Sequence, residues 1–231
     1  YLRVMDLSQI AEVARQHDLI TVIDSTFATP INLRPLDHGL DLVIHSATKY
    51  LGGHNDLLAG AVVGSADLVG RIQATRDVLG GVGSPHDAYL LLRGLKTLDL
   101  RVRRQNESAQ RMAEYLNEHP AIRRVYYPGL PTHPDHQIAS RQMRGFGGVV
   151  SFDIDGDLER TGRFVDRLRL PYVGATLGGV ESVVRQQAIF ASSKPEERHK
   201  LGVADNLVRY AVGIEDVDDL IADLDQALAG L

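Results

Sequence analysis

Hydrophobic positions along the chain switch between two periods, and the switches mark its elements. Leu7, Ile10, Ala11, Val13 and Ala14 recur at helical spacing, with Asp6 or Ser8 placed to cap the predicted helix. Leu19-Ile20-Thr21-Val22-Ile23 is a short β-branched run ending at Asp24, the pattern of a buried strand. After a loop through Pro30 and Pro35, the runs Leu40–His45 and Ala59–Gly64 predict two more strands. The first leads into Ser46-Ala47-Thr48-Lys49, and the turn Gly52-Gly53-His54 lies between them. From about residue 86 to 118, positions such as Leu95, Leu98, Val102, Ala109, Met112 and Leu116 keep a period near 3.6. So long a pattern either joins two domains or breaks in two; Gly94 marks a close contact or a bend, and Pro120 ends it. Beyond a turn-rich stretch over 126–136, the pattern predicts a strand over 147–154 and a helix over 158–168. A further strand over 207–212 and a last amphipathic helix over 217–228 follow. This alternation predicts an α/β sheet with its ligand site at strand ends, then a small α/β C-terminal domain.

Composition narrows the class. The 231 residues are 44% hydrophobic and 24% charged, an ordinary globular balance that excludes a disordered chain. Twenty-five Lys and Arg against 30 Asp and Glu give a net charge of −5, so no electrostatic footprint for nucleic acid is present. Cysteine is absent, which excludes disulfides and thiolate metal sites. No apolar run approaches the roughly 20 residues of a membrane span, and Tyr1-Leu2-Arg3-Val4-Met5-Asp6 is not patterned as a secretory leader. A cytoplasmic location is therefore expected. The chain opens without Met and directly into a helical pattern, so a piece of a longer protein is expected.

The densest chemistry lies at two successive strand ends, Asp24 and Ser46-Ala47-Thr48-Lys49. An aldehyde cofactor such as pyridoxal phosphate needs a lysine amine for a Schiff base, a carboxylate facing its pyridine nitrogen, and hydroxyl or N–H donors for its phosphate. Lys49, Asp24, and Ser46 with Thr48 supply these types; two residues apart in an extended segment, Ser46 and Thr48 face the same way. The residues alone leave a plainer alternative open, with Asp24 a turn or cap residue and Ser-x-Thr-Lys an ordinary loop.

The stretches Val22-Ile23-Asp24-Ser25-Thr26-Phe27 and His45-Ser46-Ala47-Thr48-Lys49-Tyr50-Leu51-Gly52-Gly53-His54 resemble the Cys/Met-metabolism family of pyridoxal-phosphate enzymes. So do Arg93-Gly94-Leu95-Lys96, Tyr127-Pro128-Gly129-Leu130, Leu177-Gly178-Gly179-Val180-Glu181-Ser182 and Asp205-Asn206-Leu207-Val208-Arg209, in order along essentially the whole chain. The resemblance implies a fold-type-I transferase of the aspartate-aminotransferase kind. Residues 1–107 would be the C-terminal part of the large cofactor domain and 108–231 the small domain. It further implies that Lys49 carries the cofactor and shuttles protons, that Asp24 pairs with the pyridinium nitrogen, and that Thr26 lies beside the ring. Ser46 and Thr48 would hold phosphate. Arg209 would clamp the substrate carboxylate, the alternative being a strand arginine paired to Glu215 or Asp216. Thr176 stands where the family usually has Ser, near the carboxylate and the lysine.

Within the family the chain resembles cystathionine γ-synthases most. The implied reaction is γ-replacement on an activated homoserine ester with cysteine, giving cystathionine. The alternatives are γ-elimination by a γ-lyase and a truncated, non-catalytic homologue. The resemblance also implies amino-acid substrates, a homotetramer built from dimers with shared sites, and family residues upstream of Tyr1. Two departures, Ala175 and Gln186-Gln187-Ala188-Ile189-Phe190, fall near the substrate entrance. His133, Asp135 and His136 read as an exposed loop rather than a metal site. Arg101, Arg103, Arg104 and Arg111 read as helical surface charges, and Gly80-Gly81-Val82-Gly83 as a flexible connection.

Overall fold

A computed structural model of the chain describes residues 1–191 and 195–231. Helix α1 (Leu7–Gln16), capped by the Asp6 side chain, leads to β1 (Val22–Asp24) and the short α2 (Thr29–Asn32). Strands β2 (Leu42–Ser46) and β3 (Gly60–Gly64) follow. β1 pairs with β2 in parallel and β2 with β3 antiparallel, making a three-stranded sheet. Helix α3 (Ala66–Leu79) is bounded by a Ser65 N-cap and by Gly80 in the left-handed conformation. The long helical pattern does break, into α4 (Pro85–Leu95), opened by a Ser84–Asp87 capping box, and α5 (Leu98–Glu118).

The second sheet is five-stranded, in the order β4-β5-β8-β7-β6. Its strands are β4 (Ile122–Tyr126), β5 (Val149–Ile154), β6 (Tyr172–Val173), β7 (Val183–Gln186) and β8 (Leu207–Ala211). Only the β6–β7 pair is parallel. Helices α6 (His136–Gln142), α7 (Leu158–Arg167), α8 (Gln187–Ala191), α9 (Pro195–Lys200) and α10 (Val217–Ala229) complete the described chain.

Strand alternation assigns this sheet two different faces. Val150, Phe152 and Ile154 of β5, Val208 and Tyr210 of β8, and Val184 of β7 enter the main core with Met112 and Leu116 of α5, Phe164 of α7, and Leu220 and Leu224 of α10. Val149, Ala211 and Val183 face the other way. There they pack with Ala47, Tyr50, Leu51, Leu98 and Val102 and join the second sheet to the turn after β2. Ser151, Arg209 and Arg185 lie one row further along that face. A third, smaller cluster seats α1 through Leu7 and Ala11 on Leu33 and Leu40.

Several expectations are corrected. The strand expected to be buried is three residues long, and Val22 on it is 57% exposed. It is an edge strand of its sheet among the described residues, paired with β2 alone. Arg101 is not a surface charge: it is 4% exposed, and it donates to the Tyr50 and Gly94 carbonyls at 2.8 Å each and to Thr97 Oγ1 at 3.1 Å. His133 and Asp135 are likewise buried rather than exposed, because Asp135 accepts from Arg3 Nε (2.6 Å) and Val4 N (2.9 Å) and folds the N-terminal segment over them. That guanidinium holds the Asp135 carboxyl down to about 2. No helix among the described residues is long and apolar enough to cross a membrane.

Candidate active site

Strand β2 ends at Ser46 and the chain turns back at once. The turn is closed by Lys49 N donating to Ser46 O (3.1 Å), Gly52 N to Ala47 O (2.9 Å) and Gly53 N to Lys49 O (2.7 Å). The extended geometry expected from Ser46 to Thr48 therefore does not hold. Thr48 Oγ1 accepts from Ala59 N at 3.0 Å and makes a long 3.4 Å donation to Ala59 O, while Ser46 N donates to Thr26 Oγ1 at 2.8 Å. Thr26 thereby ties the end of β1 to the end of β2.

Asp24 stands on the last residue of β1. Its Oδ1 accepts from Thr26 N at 2.9 Å, an Asx turn that fixes the carboxylate. It is exposed and lines a cavity of about 530 Å³ shared with Ser25, Phe27, Ser151, Arg185 and Arg209. Behind it, His45 on β2 is buried. Desolvation pushes its pKa below the usual imidazole value against the raising effects of Asp24 and the Ser25 backbone, so the ring is held neutral.

The loop 174–179 presses on the lysine turn. Gly178 has φ +80°, and a Cβ there would meet Tyr50 N at 2.7 Å, so only glycine permits this approach. The approach brings Thr176 to Lys49, whose Nζ donates to Thr176 Oγ1 at 3.0 Å. Arg209 on β8 holds the same loop, donating to Ala175 O at 2.9 Å and Thr176 O at 2.8 Å. Burial, and after it the Arg209 charge, lower the Lys49 pKa. Lys49 borders a second, more open concavity with Thr48, Asp87, Ala175 and Thr176, and Arg209, which is bonded to the carbonyls of residues 175 and 176, lines the first.

Arg209 is 8% exposed, and its buried Nε has no partner. It does not pair with Glu215 or Asp216. Glu215 accepts from Ser182 N (2.6 Å) and Ser182 Oγ (3.0 Å), and Asp216 caps α10. Thus Lys49, Thr176 and Arg209 form one connected group, and Asp24 with Thr26 and Ser46 forms a second group at the adjacent strand ends. Sequence patterning missed Arg185 and Ser151, which flank Arg209 on neighbouring strands; only the register of β5, β8 and β7 reveals them. No group of three or more His, Cys, Asp or Glu placed to hold a metal occurs among the described residues.

These residues fit a pyridoxal-phosphate-sized ligand. Asp24 and Arg209, whose buried Nε lacks a partner, line a cavity whose volume lies within the roughly 300–1,000 Å³ usual for small-molecule sites. Lys49, its pKa lowered, borders the neighbouring concavity and is joined to Arg209 through Thr176.

The family model described as Cys/Met metabolism PLP-dependent enzyme matches residues 1–229. Cystathionine gamma-synthase 1, chloroplastic, of Arabidopsis thaliana is 52% identical over 233 residues, covering 100% of this chain and 41% of that protein. L-methionine gamma-lyase of Pseudomonas putida is 45% identical over 231 residues, covering 98% of this chain and 58% of that protein. Among solved structures, cystathionine gamma synthase from Xanthomonas oryzae pv. oryzae in complex with aminoacrylate and cysteine superposes with a TM-score of 0.94 at 43% identity. The match covers 98% of this chain and 59% of that one. The chain thus spans about half the length of the relatives it matches.

Proposed function

The chain belongs to the Cys/Met-metabolism family of pyridoxal-phosphate-dependent enzymes, and on that premise we propose that it carries the lysine half of a cystathionine γ-synthase site. The reaction would be γ-replacement on an O-activated homoserine with cysteine, giving cystathionine. The observation that carries this reading is the linked set Lys49–Thr176–Arg209, in which one amine and one guanidinium converge on the same two-residue loop segment.

Each residue has a defined task. Lys49 would hold the cofactor aldehyde and, once the substrate's amine has displaced it, would take the substrate α-proton and return it at a neighbouring carbon; burial lowers its pKa and so favours the neutral amine. When bound, the cofactor supplies an electron sink for the charge that proton removal leaves behind. Asp24, fixed by its Asx turn, would pair with the pyridine nitrogen and keep it protonated, and Thr26 would lie beside the ring. Ser46 offers its hydroxyl to the phosphate. Thr48 joins it by giving up its long 3.4 Å donation to Ala59 O, a weak bond to exchange. Thr176 accepts from Lys49 and sets the direction of the amine. Arg209 receives the substrate α-carboxylate through the donors it does not spend on the loop, a geometry suited to a planar fork.

The same reading divides the chain at about residue 107 into part of the cofactor domain and a small domain of 108–231, with α5 running through the division. It also gives a cytoplasmic homotetramer as the working assembly. Apolar side chains left open at Leu19, Ile20, Val22 and Val63 support association of subunits.

Product analysis of the native protein supplied with pyridoxal phosphate and a homoserine ester tests the reaction. Cystathionine is expected when cysteine is present. A keto acid and ammonia formed at the same rate with or without cysteine would instead establish the γ-lyase reaction, and no turnover of any ester would refute both.

A further inference from the structure

The antiparallel register of β7 and β8 sets Arg185 directly opposite Arg209, with Ser151 opposite Arg209 on its other side. All three line the 530 Å³ cavity that Asp24 also borders. Directly opposed residues hold their Cβ atoms about 5 Å apart, and like charges so placed repel. Burial, and after it the Arg185 charge, pull the Arg209 pKa down to about 10; burial lowers Arg185 as well. Arg185 Nε donates to Gln187 Oε1, another residue of the cavity wall, which keeps the guanidinium at that wall.

Two cationic forks side by side, in a partly desolvated cavity, are stabilised by bound negative charge. A substrate with a single carboxylate engages one of them, Arg209. We propose that Arg185 sets ester specificity by receiving a second anionic group at the distal end of the substrate. The site then selects homoserine esters whose transferred acid carries its own negative charge over esters of a neutral acyl group. This rests on the γ-replacement reading above. The shared chemistry is the distal anion, which a dicarboxylic half-ester and a phosphate ester both provide.

The test compares Arg185→Gln and Arg185→Lys with wild type in the native cofactor-loaded protein, on acetyl, succinyl and phosphate esters of homoserine. Arg185→Gln is expected to lower kcat/KM for a charged ester by about 10- to 100-fold, mostly through KM, and to change the acetyl ester by less than about twofold. Arg185→Lys recovers part of the loss, because it keeps the charge without the fork. The charged ester that suffers distinguishes carboxylate from phosphate.

Calorimetric titration with succinate, inorganic phosphate and acetate gives a readout independent of turnover. Arg185→Gln should weaken one dianion by about tenfold or more and leave acetate unchanged, with an unaltered melting temperature. Equal losses for charged and neutral ligands, or no loss for either, would overturn the proposal. If selective anion binding is lost but no ester is ever converted, the reaction reading fails and ester selection with it, while Arg185 stands as an anion-binding group of the cavity. If esters are converted without any Arg185 selectivity, the Arg185 role fails alone.

Discussion

One substitution made at two glycines should move stability in opposite directions. Gly94 lies in α4 where the helix backbone touches the lysine turn. A Cβ at this position would stand 2.8 Å from the Leu51 carbonyl oxygen and closer still to that of Gly52. Neither backbone can yield cheaply. Arg101 ties both segments at 2.8 Å, through the Tyr50 and Gly94 carbonyls, and Gly53 N holds the Lys49 carbonyl at 2.7 Å. Replacing a helical glycine by alanine gains about 1 kcal/mol of backbone propensity. Forcing a methyl group into filled space costs about 1–3 kcal/mol, and contact with two carbonyls places this site at the upper end. Gly94→Ala should therefore lose roughly 1–2 kcal/mol net and displace the turn that carries Lys49. Gly70, in α3, has nothing within 4 Å of the same added atom. Only propensity acts there, so Gly70→Ala should gain roughly 0.5–1 kcal/mol. Urea unfolding followed by far-ultraviolet circular dichroism, with unchanged slopes, measures both. A Gly94→Ala protein as stable as wild type would refute the packing argument.

Two further outcomes follow from buried polar groups. Arg101→Met should destabilise by roughly 2–4 kcal/mol in the same assay, because the Tyr50 and Gly94 carbonyls lose their donors inside the fold. Stability should also fall as pH drops from 7 toward 5. Burial lowers the pKa of both His45 and His133 below the unfolded value of 6.5, so their contribution is complete above 6.5 and is lost as pH falls through the folded values. Each histidine adds at most about 1.4 kcal/mol per pH unit, and His45→Gln should flatten its share; a profile that is level or rises in acid contradicts the assignment.

What the sequence revealed depended on whether the signal was local. Strands β5 and β8 alternate cleanly between the main core and the opposite face, so their runs were legible, whereas the long helical pattern left open whether it would break and did not mark the place near Thr97 where α4 gives way to α5. Helix α3 escaped notice because its apolar row is narrow, Leu68, Ile72 and Leu79, and none of its residues is buried. Arg101 read as surface charge by residue type, although its spacing with Leu98, Gln105, Ser108 and Met112 puts it on the buried face of α5. The strand Val183–Gln186 was hidden beside a glycine-rich loop, and with it the cross-strand neighbour of Arg209. Lys49 and Asp24 stood out through family motifs, whereas the bonds of Lys49 and Arg209 to the 175–176 segment link residues 33 or more positions apart and have no local signature.

The central claim, that Lys49 is the amine that carries the cofactor, has a direct chemical test. The chain has four lysines, at 49, 96, 194 and 200. The native protein is loaded with pyridoxal phosphate and treated with borohydride, which fixes the cofactor on whichever amine holds it, and the peptides are then mapped by mass spectrometry. The label is expected on Lys49 alone, with the visible absorption band of the loaded protein present in wild type and missing from Lys49→Ala. Label spread over the other lysines, or a band that survives Lys49→Ala unchanged, would contradict the account.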